Sequence, residues 1–234
     1  MEQQIAEGLI YFVVFLLSTT LHEAAHAWTS HRLGDSTAYD GGQVSLSPLP
    51  HIRRSPVGML LLPLVTAIGS GWPIGFASAP YNVKWAYQYP RRAAVMALAG
   101  PAANLALFLI AALIIRVGTT TGIFFAPQSI RFGHIIGVDG DGMLGAAAFL
   151  LGAVFSMNLL LCVFNLLPVP PLDGSGAIPV FLGDDLGRRY LTALHRAPGL
   201  LLVGLFFAWK AIDLIFHPLF LGAVNLLYPG TTYG

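Results

Sequence analysis

Apolar positions dominate this chain in long unbroken runs. A helix needs about 20 apolar residues to cross a bilayer core, and such runs fall at roughly 8–31, 92–116 and 143–166, with a further one beginning near residue 198. Residues 57–69 are also apolar, but about 13 residues is short for a crossing, and Pro63, Gly69, Gly71, Pro73 and Gly75 interrupt the pattern there. The 43–80 segment is expected to be irregular or strand-like and partly re-entrant, with β-favouring stretches at Gln43-Val44-Ser45-Leu46 and Ile74-Gly75-Phe76-Ala77. Such a backbone is tolerated at membrane depth only where protein or water covers it. The path of 198–228 stays open between one kinked span and a span followed by an interfacial stretch broken at Pro218. The predicted fold class is an all-α polytopic membrane protein with a small re-entrant β-like element. No repeats or linkers divide it, so residues 1–234 form one membrane-embedded domain.

Composition agrees with that pattern. The 234 residues are 56% hydrophobic and 10% charged, with a mean hydropathy of +0.71; soluble domains carry roughly 25% charged residues. A net charge of +1 without a basic stripe argues against nucleic acid as a partner. The lone Cys162 excludes an internal disulfide and a thiolate metal cluster, and suits packing in an apolar helix. Ala25-His26-Ala27 imitates a signal-peptide cleavage site, but residues 1–8 hold Glu2 and Glu7 and no Lys or Arg, so the segment is expected to remain as the first membrane helix.

Charge placement predicts orientation. Nine of the twelve Lys and Arg lie in three segments: Arg32, Arg53 and Arg54; Lys84, Arg91 and Arg92; Arg188, Arg189 and Arg196. The positive-inside rule puts these in the cytosol and the N-terminus outside.

At the inner end of the first run stands His22-Glu23-Ala24-Ala25-His26. Residues i and i+4 share a helix face, so both imidazoles can grip one metal ion with Glu23 beside them. Ionisable groups at membrane depth default to function. A catalytic zinc usually has three protein ligands and keeps one position open. The third run returns to the same depth and ends in Asn165-Leu166-Leu167-Pro168-Val169-Pro170-Pro171-Leu172-Asp173-Gly174, where prolines stop the helix and Gly174 permits a sharp bend. Asp173 is the topological match for His22 and His26. Asp35 and Asp40 are nearer in sequence but are expected in an aqueous loop as solvated acids. Glu23, adjacent to the ligands without being one, suits general base and then acid; the competing role is a structural carboxylate paired with Arg32 or a backbone amide.

Three motifs in order, His22-Glu23-x-x-His26, Ala99-Gly100-Pro101-Ala102-Ala103-Asn104, and Asn165-x-x-Pro168 followed by Leu172-Asp173-Gly174, resemble those of the site-2 protease family of intramembrane zinc metalloproteases. The resemblance covers about residues 8–180 and is to the compact bacterial members without an inserted PDZ or CBS module. It implies a three-helix catalytic core holding one zinc ion per chain in a bacterial cytoplasmic membrane, with the active site toward the cytosol. It also implies hydrolysis of a peptide bond in or near a transmembrane segment of a protein or membrane-bound peptide substrate. The region after Trp72 departs from the family's usual pattern.

Asn165 has two readings: an amide serving the oxyanion or a substrate carbonyl, or a helix C-cap. Asn104 is read as interhelical glue among the small residues Ala99, Gly100, Ala103 and Ala106. The 43–80 segment offers either a strand edge for an unwound substrate or a surface loop anchored by Trp72 and Trp85. Lys210, Asp213 and His217 share a face of the last apolar run and are expected as an internal ion pair facing the bundle. His31, His51, His134 and His195 are expected as surface loop residues. The rival functions are a catalytically silent metal-binding scaffold or transporter, and a membrane zinc hydrolase acting on a soluble peptide or lipid. Substrate identity and oligomeric state are not legible.

Overall fold

The computed structural model describes residues 1–140, 142–197 and 199–234. The fold is all-α. Its helices are α1 (Glu2–Arg32), α2 (Thr37–Asp40), α3 (Pro48–Arg54), α4 (Leu62–Ser70, continuing a π turn at Val57–Leu61), α5 (Val83–Gln88), α6 (Pro90–Thr120), α7 (Met143–Asn165), α8 (Asp173–Ala177), α9 (Asp184–Arg196) and α10 (Gly199–Leu227). Four of them, α1, α6, α7 and α10, are long and apolar enough to cross a membrane. The chain is a multi-pass membrane protein. Residue 198, where the last run was expected to begin, lies outside the described residues. From Gly199 onward that run is one helix containing Pro218, which decides between the two paths left open.

The 43–80 segment differs from expectation. Among the described residues it holds no strand. Pro48–Arg54 and Val57–Ser70 are instead two helices bent by 118°. Pro63 does not break the second: it stands where the π turn passes into α4, and Gly58 O, the carbonyl a π-type bond from residue 63 would reach, accepts from Phe76 N–H instead. Residues 73–82, without regular secondary structure, then run back against this pair: Phe76 N–H donates to Gly58 O (3.0 Å), Ile74 N–H to Thr66 Oγ1 (2.8 Å) and Arg54 Nε to Ser78 O (3.0 Å). A Cβ at Gly58 would run into Phe76 O, so glycine permits the close pass. The re-entrant element is thus a helical hairpin with an irregular return, not a β-unit. The only β-bridges among the described residues are isolated ones, Phe125 with Gly137 and Arg131 with His134, in the connection between α6 and α7.

Apolar packing holds the spans together. Tyr11, Val14 and Phe15 of α1 meet Ala153 and Met157 of α7. Ala111 and Ile115 of α6, Phe155 and Leu159 of α7, and Phe220 and Val224 of α10 form a second cluster. Trp85 is buried with Ala93, Met96 and Leu191, and half-buried Trp72 packs on Tyr11 and Phe132, so neither forms an exposed interfacial belt. The three basic segments meet at one end of the bundle. Arg92 Nη1 donates to Leu33 O (3.1 Å), Arg188 Nε to Tyr87 O (3.1 Å), and Arg91 Nε to Leu182 O (3.3 Å).

Asp35 is buried rather than solvated. Its carboxylate accepts from Thr37 N, Thr37 Oγ1 and Asn82 N at 3.1, 2.6 and 2.8 Å, so it ties the α1 exit to the start of α5. His51 is likewise buried, against Ser45 O at 3.0 Å. His31, His51 and His195 lie on helices rather than loops.

Candidate metal centre

His22 and His26 project from one face of α1, one turn apart. After α7 ends at Asn165, the proline-rich turn reverses the chain and starts α8 at Asp173. A Cβ at Gly174 would meet the carbonyl oxygens of Leu166 and Leu167, so this turn closes only with glycine. Tyr190 of α9 anchors α8 from outside, donating to Ser175 O at 2.9 Å.

These elements bring three donor atoms together. His22 Nε2 lies 3.0 Å and His26 Nε2 3.3 Å from Asp173 Oδ2, and the two nitrogens are 3.0 Å apart. Both histidines are buried and Asp173 is partly so. A tetrahedral ion with bonds of about 2.0–2.2 Å sets its donors roughly 3.3–3.6 Å apart, a few tenths of an ångström wider than this triangle. The hydrogen bonds behind the rings argue the same way. Met96 O can only accept, so His26 Nδ1 at 2.7 Å is the protonated nitrogen. Val154 O can only accept, so Asn158 Nδ2 donates to it (2.8 Å) and to Ser18 Oγ (3.0 Å). Asn158 Oδ1 then accepts from Asn104 Nδ2 (2.9 Å), which leaves Asn104 Oδ1 to accept from His22 Nδ1 (2.6 Å). Both Nδ1 protons point outward, so both Nε2 atoms are the inward-facing atoms beside a carboxylate. Three electron-rich atoms at such distances fit a cation, and a ligand histidine whose other nitrogen donates to an oxygen is the usual arrangement at metal sites.

Gly100 of α6 completes the cradle: a Cβ there would run into Nε2 of both histidines. Glu23 is 5% exposed and its Oε2 has no hydrogen-bond partner. No ion pair reaches it among the described residues, and Arg32 lies instead over the Trp28 ring. Asn165 is not drawn into the cluster; its amide donates to Leu161 O at 2.9 Å. Asn104 joins helices, as expected, but one partner it grips is His22 of the cluster. Asn158 and Ser18 escaped the sequence reading. The available sign was a lone Asn within an apolar helix, two turns before Asn165.

Fold and site together define a multi-pass membrane protein with a buried His-His-Asp cluster able to hold a metal ion. The chain is similar to YwhC of Bacillus subtilis (strain 168), 36% identical over 170 residues that cover 70% of this chain and 65% of YwhC. It is similar also to Rip2 of Mycolicibacterium smegmatis, 31% identical over 80% of this chain and 63% of that protein. With Rip2 of Mycobacterium tuberculosis (strain H37Rv), identity is 32% over 84% of this chain and 67% of that protein. All three are named as candidate zinc metalloproteases. The chain belongs to the zinc metalloprotease family that includes YwhC and Rip2. The match spans less than two thirds of YwhC and of the M. smegmatis Rip2. No family model matches the chain, and no solved structure does.

Proposed function

We propose that this chain is an intramembrane zinc metalloprotease of the site-2 type, cleaving a peptide bond in or near a transmembrane segment of a membrane-protein substrate, as in regulated intramembrane proteolysis. The observation that carries the reading is the convergence of His22, His26 and Asp173, with the unpartnered carboxylate of Glu23 on the same helix. Two imidazoles and one carboxylate favour zinc, one ion per chain. When bound, zinc supplies a Lewis acid and a water acidified toward neutral pH.

The chain's own residues do the rest. His22, His26 and Asp173 would hold the ion, while Asn104 and Met96 O keep the two rings turned toward it. Glu23 takes a proton from the attacking water and returns it to the leaving amine, which suits a carboxylate with no competing partner. Asn165 holds a substrate carbonyl by exchanging Leu161 O for it. The substrate lies in a cleft of about 290 Å3 lined by Leu21, Ala24, Ala25 and Trp28 of α1, by Val44, Ser45 and Leu46, and by Ala103 of α6. Ala24 and Ala25, between the larger Leu21 and Trp28, leave room for a backbone, and the loop wall provides main-chain groups for an unwound segment. The basic end of the bundle faces the cytosol in this reading, and the N-terminus lies outside.

Incubating the purified protein in lipid with a panel of single-span substrates tests the reading. Cleavage that stops with a chelator, returns with zinc and is absent from Glu23→Gln supports it. Zinc binding without cleavage of any membrane-embedded substrate would favour a silent metal-binding scaffold, and cleavage of soluble peptides alone would favour a general membrane-anchored hydrolase.

A further inference from the structure

The last span carries a polar stripe unrelated to the metal centre. α10 is apolar along its length except for Lys210, Asp213 and His217 and, near its end, Asn225, which bonds Tyr233, and Asp213 stands midway between Gly199 and Leu227. α10 meets the bundle near both of its ends. A Cβ at Gly204 would run into Pro170 O, Ala208 packs with Leu167 and Leu172, and Phe220 and Val224 enter the core beside Phe155. Lys210, Asp213 and His217 lie away from Gly204 and Ala208, between the two ends that meet the bundle, and are exposed, contrary to the internal ion pair expected of them. No ion pair among the described residues involves them, and Lys210 Nζ sits 6.0 Å from the Phe206 ring. Leu214, 80% exposed, stands among them at the edge of a shallow cleft of about 570 Å3.

Ionisable groups in a membrane span rarely face lipid; they face a protein interior and pair with one another. A face with a cation, an acid and an imidazole at mid-span is therefore an incomplete interface. The charge pattern selects its occupant. In a two-fold pair the same patch meets itself, so the patch must be self-complementary. Two copies in one membrane, related by an axis along its normal, place their α10 helices parallel and at equal depth. Lys210 of one copy then lies about 4.5 Å along the axis from the level of Asp213 in the other, at 1.5 Å per residue, within the reach of a lysine stem. The reciprocal pair forms at the same time, and the patch is neutral apart from its imidazole. We infer that the Lys210–Asp213–His217 face of α10 is the surface on which two copies of this chain associate in the membrane.

Charge exchange tests this directly, with two differently tagged full-length copies co-expressed and co-purified in nanodiscs. The wild type co-purifies, and a Leu214→Cys variant forms an oxidant-dependent crosslinked dimer, since Cys162 is buried. Lys210→Asp alone and Asp213→Lys alone each face like charge with like, and co-purification falls about tenfold or more. Co-expressing Lys210→Asp with Asp213→Lys makes both cross-pairs attractive and restores association, as does the double exchange in one chain. A monomeric wild type, no Leu214→Cys crosslink, or single reversals that associate as the wild type does would each overturn the inference. So would a charge-exchanged mixture that stays apart while both variants retain metal binding.

Discussion

Replacing Asn104 with alanine is the sharpest probe of how the metal centre is held. Asn104 is fully buried and spans two hydrogen bonds, 2.6 Å to His22 Nδ1 and 2.9 Å to Asn158 Oδ1. Interhelical hydrogen bonds in membranes average only about 0.6 kcal/mol where lost partners find others. Here they have none to find, because Val154 O fixes the Asn158 amide and Asp173 fixes the inner side of His22. Each stranded group then costs about 1–3 kcal/mol, or roughly 2–6 kcal/mol together. Part of that loss falls on the metal, since removing the partner behind a ligand histidine typically weakens binding about 10–100-fold. Competition of the purified protein against a chromogenic zinc chelator reads the affinity, and thermal unfolding reads the stability. Asn158→Leu, which leaves the His22 bond in place but no longer fixes the Asn104 amide, gives a smaller loss. Zinc affinity in Asn104→Ala equal to the wild type would refute the reasoning that this relay orients His22.

Further outcomes follow from neighbouring residues. Glu23→Gln keeps zinc by elemental analysis and loses about 10²–10⁴-fold in cleavage rate, the usual worth of a general acid–base group. Gly100→Ala lowers zinc affinity by at least about tenfold, because its methyl would take the space of two ligand nitrogens, a displacement of the kind overpacking enforces. Gly69→Ala, with open space around it, leaves affinity unchanged and serves as the control. Tyr190→Phe removes the anchor on Ser175 O and costs about 1 kcal/mol of stability in thermal unfolding.

How legible the site was depended on whether the signal resided in residue type. His22, Glu23 and His26 could be read because one helical turn puts i and i+4 together whatever surrounds them. Asp173 could be read because a proline stop after an inward-running helix returns the chain to the same depth. The carbonyls of Met96 and Val154 could not, since every residue carries one and only the packing of α6 and α7 decides which faces a ring. The 57–70 segment is helical although Pro63 and the glycines argue for breaks, because a π turn precedes Pro63 and the returning chain supplies a donor to Gly58 O, neither of which residue type announces. Lys210, Asp213 and His217 were placed on one face correctly, but α10 is apolar nearly all round, so spacing alone could not say which side meets the bundle.

The most direct test of the central claim is the zinc content of the purified protein beside His22→Ala, His26→Ala and Asp173→Ala. About one zinc per chain in the wild type, lost on chelation and absent from each folded variant, is the predicted result. Zinc retained in full by the Asp173→Ala variant, or absent from a wild type purified with zinc present, would contradict the account.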